Sequence, residues 1–461
     1  MSYQRVSLTD DQLDVSSCLI RLKLAFTFIF DVTEMNDIPS GVKRLSRYGS
    51  FAARMTALRL RRKLLRDPNP EYLSNEALSF MKEMKGIPQK FGQHLSMRSD
   101  AYHDHFSSCL DKGTPLDDEA MTAILIAEVG QGHFEGPLLR IASASVAQVY
   151  KCRLERNRAR EVAIKIQYPG FDEILRRDLA SVKKMVKLIA PWIPSTTTRD
   201  PETLSMLIED LGALLMTELD FKQEAAVMCQ LQVAFGRSEG VTCPKTVPGL
   251  CTEKVLTMNL VHGEPWLKAL KKADLRQQKD AVERLVRAYV GMGFGANLLH
   301  ADPNPGNLIA SGACTPLDEI TILDFGQVLR EPREWWDSLY ELALEARSRR
   351  SKKLPGLFQA VGFQPEQLAH LGPQLLPLSR ALLRPFVTKG QFDLTTWKLG
   401  RELSKALRSG RKDTIPLTFP ASMVMLQRTF HGLFYYSKNC KLKLDWFQIL
   451  NEERSRYQGV D

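Results

Sequence analysis

The chain of 461 residues contains no run of 18 apolar residues, so no membrane-crossing helix can be read from it. Its eight cysteines include no Cys-x-x-Cys pair, which leaves no zinc site and no disulfide framework and points to a reducing compartment. Asp10, Asp11 and Asp14 in the first 16 residues argue against an acid-poor, Arg-rich targeting peptide. The apolar stretch Leu19 to Phe30 is broken by Arg21 and Lys23, so no cleaved leader is expected. His103-x-His105 is the one close histidine pair, and with no third ligand nearby it reads as surface histidine. The formal net charge of +10 comes without any nucleic-acid module, so no nucleic-acid partner is expected. With 44% hydrophobic residues over 461 the chain is ordinary for a globular protein and long enough for more than one lobe.

What is present is concentrated in one stretch. Leu299-His300-Ala301-Asp302-Pro303-Asn304-Pro305-Gly306-Asn307 is followed, seventeen residues after Asn307, by Asp324-Phe325-Gly326. A carboxylate five residues before a carboxamide, then a second carboxylate opening Asp-Phe-Gly, is the set that kinase-type phosphoryl transfer needs. Asp302 orients the attacking hydroxyl or water, and Asn307 with Asp324 holds Mg²⁺ against the phosphates. Each piece alone has a bland reading, since Asp, Asn, Pro and Gly also build turns; the order and spacing together favour the site. The apolar run Ile320-Thr321-Ile322-Leu323 suits a short strand presenting Asp324.

Upstream, Glu161-Val162-Ala163-Ile164-Lys165-Ile166 is a strand with one lysine, the pattern whose ammonium binds α- and β-phosphates. One hairpin earlier, where a glycine-rich loop would cover the phosphates, the chain reads Ala142-Ser143-Ala144-Ser145-Val146-Ala147-Gln148. Without glycine this loop cannot approach phosphates as closely. Glu253 to Val261 reads as a strand ending at an interlobe hinge, where the backbone of Met258, Asn259, Leu260 and Val261 would receive adenine. A helix over Asp280 to Asn297 leads into the catalytic loop; Gly291, Gly293 and Gly295 weaken its helix propensity and point to close packing.

Taken in order, Lys90-Phe91-Gly92-Gln93, the alanine-rich loop Ala142 to Gln148, Glu218-Leu219-Asp220, His-Ala-Asp-Pro at 300 and Asp-Phe-Gly at 324 resemble the UbiB-type atypical kinase-like family. That family is linked to ubiquinone and other prenylquinone biosynthesis, and the resemblance covers about residues 38 to 330 well. It implies an α+β, bilobal protein-kinase-like fold with a small β-containing N-lobe, helical N-lobe insertions and a mainly helical C-lobe. It also implies that Glu224 pairs with Lys165, that ATP or ADP and Mg²⁺ are the cofactors, and that Asp220 and Glu218 belong to a regulatory set. In that set Lys90, Gly92 and Gln93 cover the place of a protein substrate, with Lys90 reaching Glu218, so that an ATPase or small-molecule kinase is implied rather than a protein kinase. The loop departs mildly from the family's three alanines by reading Ala-Ser-Ala-Ser, and no Ala-Pro-Glu follows Asp324.

Residues 1–70 form a basic lead, 71–137 a helical extension with the Lys-x-Gly-Gln motif, 138–262 the N-lobe with a helical insert, and 263–461 the helical C-lobe. A helix from about Pro201 to Phe235 is expected to carry Glu218, Asp220 and Glu224, with the two glutamates on different faces. Lys43 to Arg66 holds nine basic residues and no acid. Two readings of that stretch stand: a helix lying on an anionic membrane, or a solvated face paired with acids elsewhere. A basic run at Arg347 to Lys353 and an amphipathic helix near Pro420 to Tyr436 complete the chain. Three functions follow: an ATPase or kinase serving quinone or lipid metabolism at a membrane, with a quinone precursor or lipid as ligand and quinone-biosynthesis proteins as partners; a small-molecule phosphotransferase of the aminoglycoside or choline type; or a nucleotide-binding scaffold.

Overall fold

Strands rich in Val, Ile, Tyr and Ala meet first, in one antiparallel sheet: β1 (Phe134–Ser143), β2 (Ala147–Leu154), β3 (Asn157–Gln167) and, beside β3, β5 (Val255–Asn259). The computed structural model describes residues 117–180 apart from 145, 156, 174 and 178, then 216, 218–236, 240–312, 315–408 and 420–458. Lys90, Gly92, Gln93, Ser145, His103, His105 and the basic stretch from Lys43 to Arg66 lie outside these residues. Residues 162 to 168 are all buried, so β3 is covered on both faces, which β-branched side chains tolerate best. β1 and β2 are joined by a tight turn in which the Ala144 N–H donates to the Ala147 carbonyl at 2.8 Å. Helix α1 (Asp118–Val129) packs Met121 and Leu125 into this lobe.

Of the helix expected from Pro201 to Phe235, residues 201–215 and 217 lie outside the described residues; a break at 218–220 precedes helix α2 (Phe221–Phe235). The Asp220 carboxylate accepts the Gln223 N–H at 2.9 Å and caps it, so Glu218 and Leu219 sit in the turn before it. Glu218 and Glu224 are therefore separated by a break in the helix and not merely by its faces. β4 (Val241–Thr242) lies outside the first sheet and pairs in parallel with β9 (Ile320–Ile322). A second small sheet results, in the order β4, β9, β8 (Leu308–Ala310) and β6 (Glu264–Pro265).

The remainder is helical. After α3 (Trp266–Lys272), helix α4 (Leu275–Ala296) begins five residues earlier than its periodicity indicates, because Asp274 and Gln277 form a reciprocal capping box. It ends at Asn297 in a left-handed conformation, then passes into β7 (Leu298–His300), which pairs with β10 (Val328–Arg330). The α4 glycines do serve close packing: a Cβ on Gly293 would lie 2.7 Å from the Trp336 ring, and one on Gly295 2.6 Å from the Tyr457 ring. Trp336 belongs to α5 (Arg333–Arg347), and Tyr457 follows α12 (Trp446–Arg456), a last helix the sequence pattern did not reveal. Between them run α6 (Leu354–Ala360), α7 (Pro365–Leu371), α8 (Leu375–Leu382), α9 (Arg384–Val387), α10 (Leu399–Arg408) and α11 (Ala421–Asn439), with β11 (Phe392–Asp393) paired to β12 (Lys443–Leu444). Small sheet lobe and helical lobe together make a bilobal, kinase-like α+β fold. Among the described residues no helix is long and apolar enough to cross a membrane.

Candidate active site

Lys165 sits on β3 opposite Leu256 of β5, which fixes its backbone in the middle of the sheet. Its side chain is only 7% exposed and reaches toward α2, where Glu224 is 2% exposed. The ammonium donates to both Glu224 oxygens, at 3.0 and 2.9 Å, and to Asp324 Oδ1 at 3.0 Å. Phe221, the first residue of α2, lies beneath it with the ring centroid 4.8 Å from Nζ. Glu224 also accepts the Phe325 backbone N–H at 3.0 Å, so one carboxylate ties α2, β3 and the Asp-Phe-Gly segment together.

One cation therefore serves two acids. Burial opposes the charge on Lys165, but the carboxylates of Asp324 and Glu224 outweigh it and the lysine is held above its ordinary value. Burial pushes Glu224 up from 4.5 to about 7, against the pull of Lys165 and with a further push from the Asp324 charge. The lysine stays an ammonium, and of the two acids Glu224 is the enclosed one, whereas the Asp324 side chain is 43% exposed.

Asp324 adopts φ 56°, in the left-handed region that aspartate tolerates at modest cost. Its carbonyl is gripped by His300: ring Nε2 lies 2.8 Å from that oxygen, and Nδ1 lies 2.6 Å from the Tyr289 hydroxyl. A carbonyl can only accept, so Nε2 carries the proton and Nδ1 accepts from the tyrosine. Burial holds the His300 pKa below its ordinary value, consistent with a neutral ring.

Asp302 follows β7. Its Oδ2 accepts from the Asn307 carboxamide at 3.1 Å, and its Oδ1 is paired with Arg428 of α11 at 3.0 Å. Arg428 donates as well to the Gln327 side-chain oxygen, and the Gln327 amide donates to Glu218. A polar chain thus runs from the turn before α2, across the Asp-Phe-Gly segment, to the Asp302–Asn307 loop. Pro303 is pinned from the same helix, its carbonyl accepting from the Tyr436 hydroxyl at 2.7 Å. Leu323 donates to the Asn307 carbonyl at 2.7 Å, which sets the Asp324 and Asn307 segments side by side.

Of the hinge positions, Met258 and Asn259 remain in β5, while Leu260 and Val261 lie beyond it in the crossing between lobes. The Leu260 N–H is taken by the Glu161 carbonyl at 3.1 Å, and the Asn259 side chain by Arg160. Close packing continues at Gly263, where a Cβ would stand 2.2 Å from the Ala310 carbonyl oxygen. Of the alanine-rich loop, Ala142 is exposed, Ser143 and Ala144 are half-buried, and Val146, Ala147 and Gln148 are buried. Gln148 points into the lobe and bonds Tyr150, whose hydroxyl donates to Asp118 at 2.7 Å.

Sequence reasoning passed over Arg428, Gln327, Tyr289 and the role of His300. His300 stood in plain view inside its motif. Arg428 is 126 residues from Asp302 on an ordinary-looking helix, and no local signal marks it.

Fold and cluster define the kinase-like class. Residues 137–355, a little under half of the chain, match the family model of the ABC1 atypical kinase-like domain, in line with the resemblance that the motifs carry. Over 234 residues it is 30% identical to a probable protein kinase UbiB of Aeromonas hydrophila, covering 48% of this chain and 42% of that protein. A probable protein kinase UbiB of Pseudomonas putida is 32% identical over 231 residues, with the same two coverages. The match thus spans less than half the length of these relatives. Among solved structures, the Rv3197–erythromycin complex from Mycobacterium tuberculosis superposes with a TM-score of 0.55 at 22% identity, covering 83% of this chain and 95% of that one, a likeness of fold.

Proposed function

We propose that the chain binds Mg²⁺-ATP or ADP between its lobes and transfers the terminal phosphoryl group to water or a small acceptor, in support of ubiquinone, other prenylquinone or lipid metabolism at a membrane surface. The observation that carries this reading is the buried Lys165–Glu224 pair with its third contact to Asp324. A lysine fixed by a carboxylate has little orientational freedom left to lose when it meets phosphate oxygens. Met258 to Val261 would receive adenine, and the alanine-rich loop from Ala142 would lie over the phosphates.

Asn307 and Asp324 offer two hard oxygen donors on adjacent segments, which suits Mg²⁺. That ion takes one or two protein carboxylates and completes its shell with water and phosphate oxygens. When bound, it neutralises charge on the β- and γ-phosphates. The chain's own part lies in Asp302, held at one oxygen by Arg428 and at the other by Asn307, so that its carboxylate is aimed before substrate arrives. It would accept the hydrogen of the attacking hydroxyl or water. His300 fixes the Asp324 backbone and moves no proton. The Lys90, Gly92 and Gln93 motif is read as a restraint over the acceptor side, through Glu218, with residues 138–262 and 263–461 as the two lobes.

The test is ATP turnover by the purified chain, with and without anionic liposomes and quinone-precursor phenols. Mg²⁺-dependent phosphate release that rises with liposomes or phenol is expected. Absence of Mg²⁺-dependent nucleotide binding overturns the reading, while turnover indifferent to both additions removes only its membrane and quinone part.

A further inference from the structure

The basic run that starts at Arg347 is not used by the interlobe site, and the fold gives it company. α5 ends at Arg347; Arg349 follows in a left-handed turn; α8 brings Arg380, α9 opens with Arg384, Lys389 comes after it, and α10 carries Lys405. These six cations line one cavity of about 930 Å³, walled by apolar groups that include Leu376, Pro377 and Val387. Its size falls in the range of small-molecule sites.

Among the described residues one carboxylate, Glu402, lines the same cavity, and it is paired with Arg384 at 2.7 Å. Among the described residues no acid pairs with Arg349, Lys389 or Lys405. Two of the guanidinium groups are fixed by backbone oxygens: Arg347 donates to the Thr388 carbonyl at 2.6 Å and lies over the Phe447 ring, and Arg380 donates to the Ala346 carbonyl at 2.6 Å. Burial, then the nearby charges of Arg349 and Arg384, hold the Arg380 pKa down, so the cations feel one another. Gathering this much positive charge around a concave apolar wall is unfavourable unless an anion is its counterpart.

We propose that this cavity is a second binding site, for a phosphorylated anion that carries two or more negative charges and an apolar portion. Guanidinium forks match phosphate oxygens in pairs, and lysine adds mobile point charge. The apolar wall covers the carbon part of the ester. Such a ligand reaches the site either as a free phosphate ester or as the headgroup of a lipid. No residue of the cavity belongs to the interlobe cluster.

The experiment titrates the full chain with inorganic pyrophosphate and octyl phosphate by calorimetry, and with phosphatidic acid in phosphatidylcholine vesicles by sedimentation. The same probes are applied to Lys165→Met and to the charge-reversed double variant Arg349→Glu/Lys405→Glu. Both altered side chains of the double variant are exposed, and Arg349→Gln/Lys405→Gln replaces it should its melting curve change. Octyl phosphate should bind wild type and Lys165→Met alike, more tightly than pyrophosphate, and about ten-fold or more weaker in the double variant. Vesicle binding that falls in parallel assigns the headgroup as source, and vesicle binding that does not change assigns the free ester. The proposal is overturned if no probe binds wild type, if the double variant binds every probe as wild type does, or if Lys165→Met abolishes the binding and so returns it to the nucleotide site.

Discussion

Replacing Lys165 by Met removes the one ammonium between two acids and leaves Glu224 in an enclosed site where its side chain is 2% exposed. Breaking a buried ion pair from one side costs about 3–5 kcal/mol, and the surviving Phe325 N–H bond to Glu224 places the expected loss near the lower end. The cost must depend on pH. Glu224 is raised from 4.5 to about 7, so the folded chain holds a proton that the unfolded chain releases, and wild-type stability falls as pH rises from 4.5 to 7 and levels off above. Without the lysine, the strongest influence lowering that pKa is gone, and in the variant the fall continues beyond 7. Near pH 5 both chains carry a neutral Glu224 and should differ by little more than packing, about 1 kcal/mol; at about pH 9 the gap should approach 3 kcal/mol. Urea denaturation at the two pH values measures it. The companion is Lys165→Met/Glu224→Gln, in which the carboxamide oxygen still accepts the Phe325 N–H and no charge is buried, so stability at high pH should return. Equal deficits at both pH values, or a double variant less stable than the single one, refute this account of the cluster.

Asp324→Asn weakens the hard-anion donor for Mg²⁺ and should lower turnover by about three orders of magnitude or more while circular dichroism stays unchanged; retained Mg²⁺-dependent turnover contradicts the assignment. Arg428→Gln removes a charge-assisted bond from Asp302 and a bond to Gln327, and should cost about 2 kcal/mol of stability and lower kcat more than it changes KM for ATP, as read from steady-state kinetics and melting. Gly293→Ala drives a methyl group to within 2.7 Å of the Trp336 ring, so denaturation should show a loss of about 1–3 kcal/mol; a neutral result means that α4 and α5 are less tightly packed than described.

The fold was legible because its signals are local and periodic. Val162 to Ile166 declare a buried strand, and Asp-Pro-Asn-Pro-Gly and Asp-Phe-Gly declare turns at the strand ends they follow. Lys165, Asp302, Asn307 and Asp324 could be picked out as candidates because each stands in a short pattern whose chemistry fixes residue type and spacing. Glu224 has no such pattern, and its place came from resemblance alone. The break at Asp220 was missed because a capping aspartate inside an otherwise helical stretch looks like any solvated acid until its partner, the Gln223 N–H, is seen. Arg428 was beyond reach for a different reason: the single arginine of α11 looks like any solvated helix cation, and only the packing of α11 against the Asp302–Asn307 loop shows that it meets Asp302. The α12 helix escaped because its charged, short sequence carries weak periodicity, and its docking rests on Asp445 capping Gln448 and on the fit of Tyr457 against Gly295.

That last fit fixes an order of events during synthesis. Asp302, Asn307 and Asp324 leave the ribosome more than a hundred residues before Arg428 can hold the first of them and before Tyr457 can close over α4. Throughout that interval Gly295 of α4 lacks the ring that packs on it and Asp302 lacks its arginine partner, so the nascent chain presents a surface for chaperones to cover. A nonsense or frameshift mutation that stops translation before Ala421 would spare every recognisable motif and still leave the site unassembled, so late truncations of this gene should be as damaging as early ones.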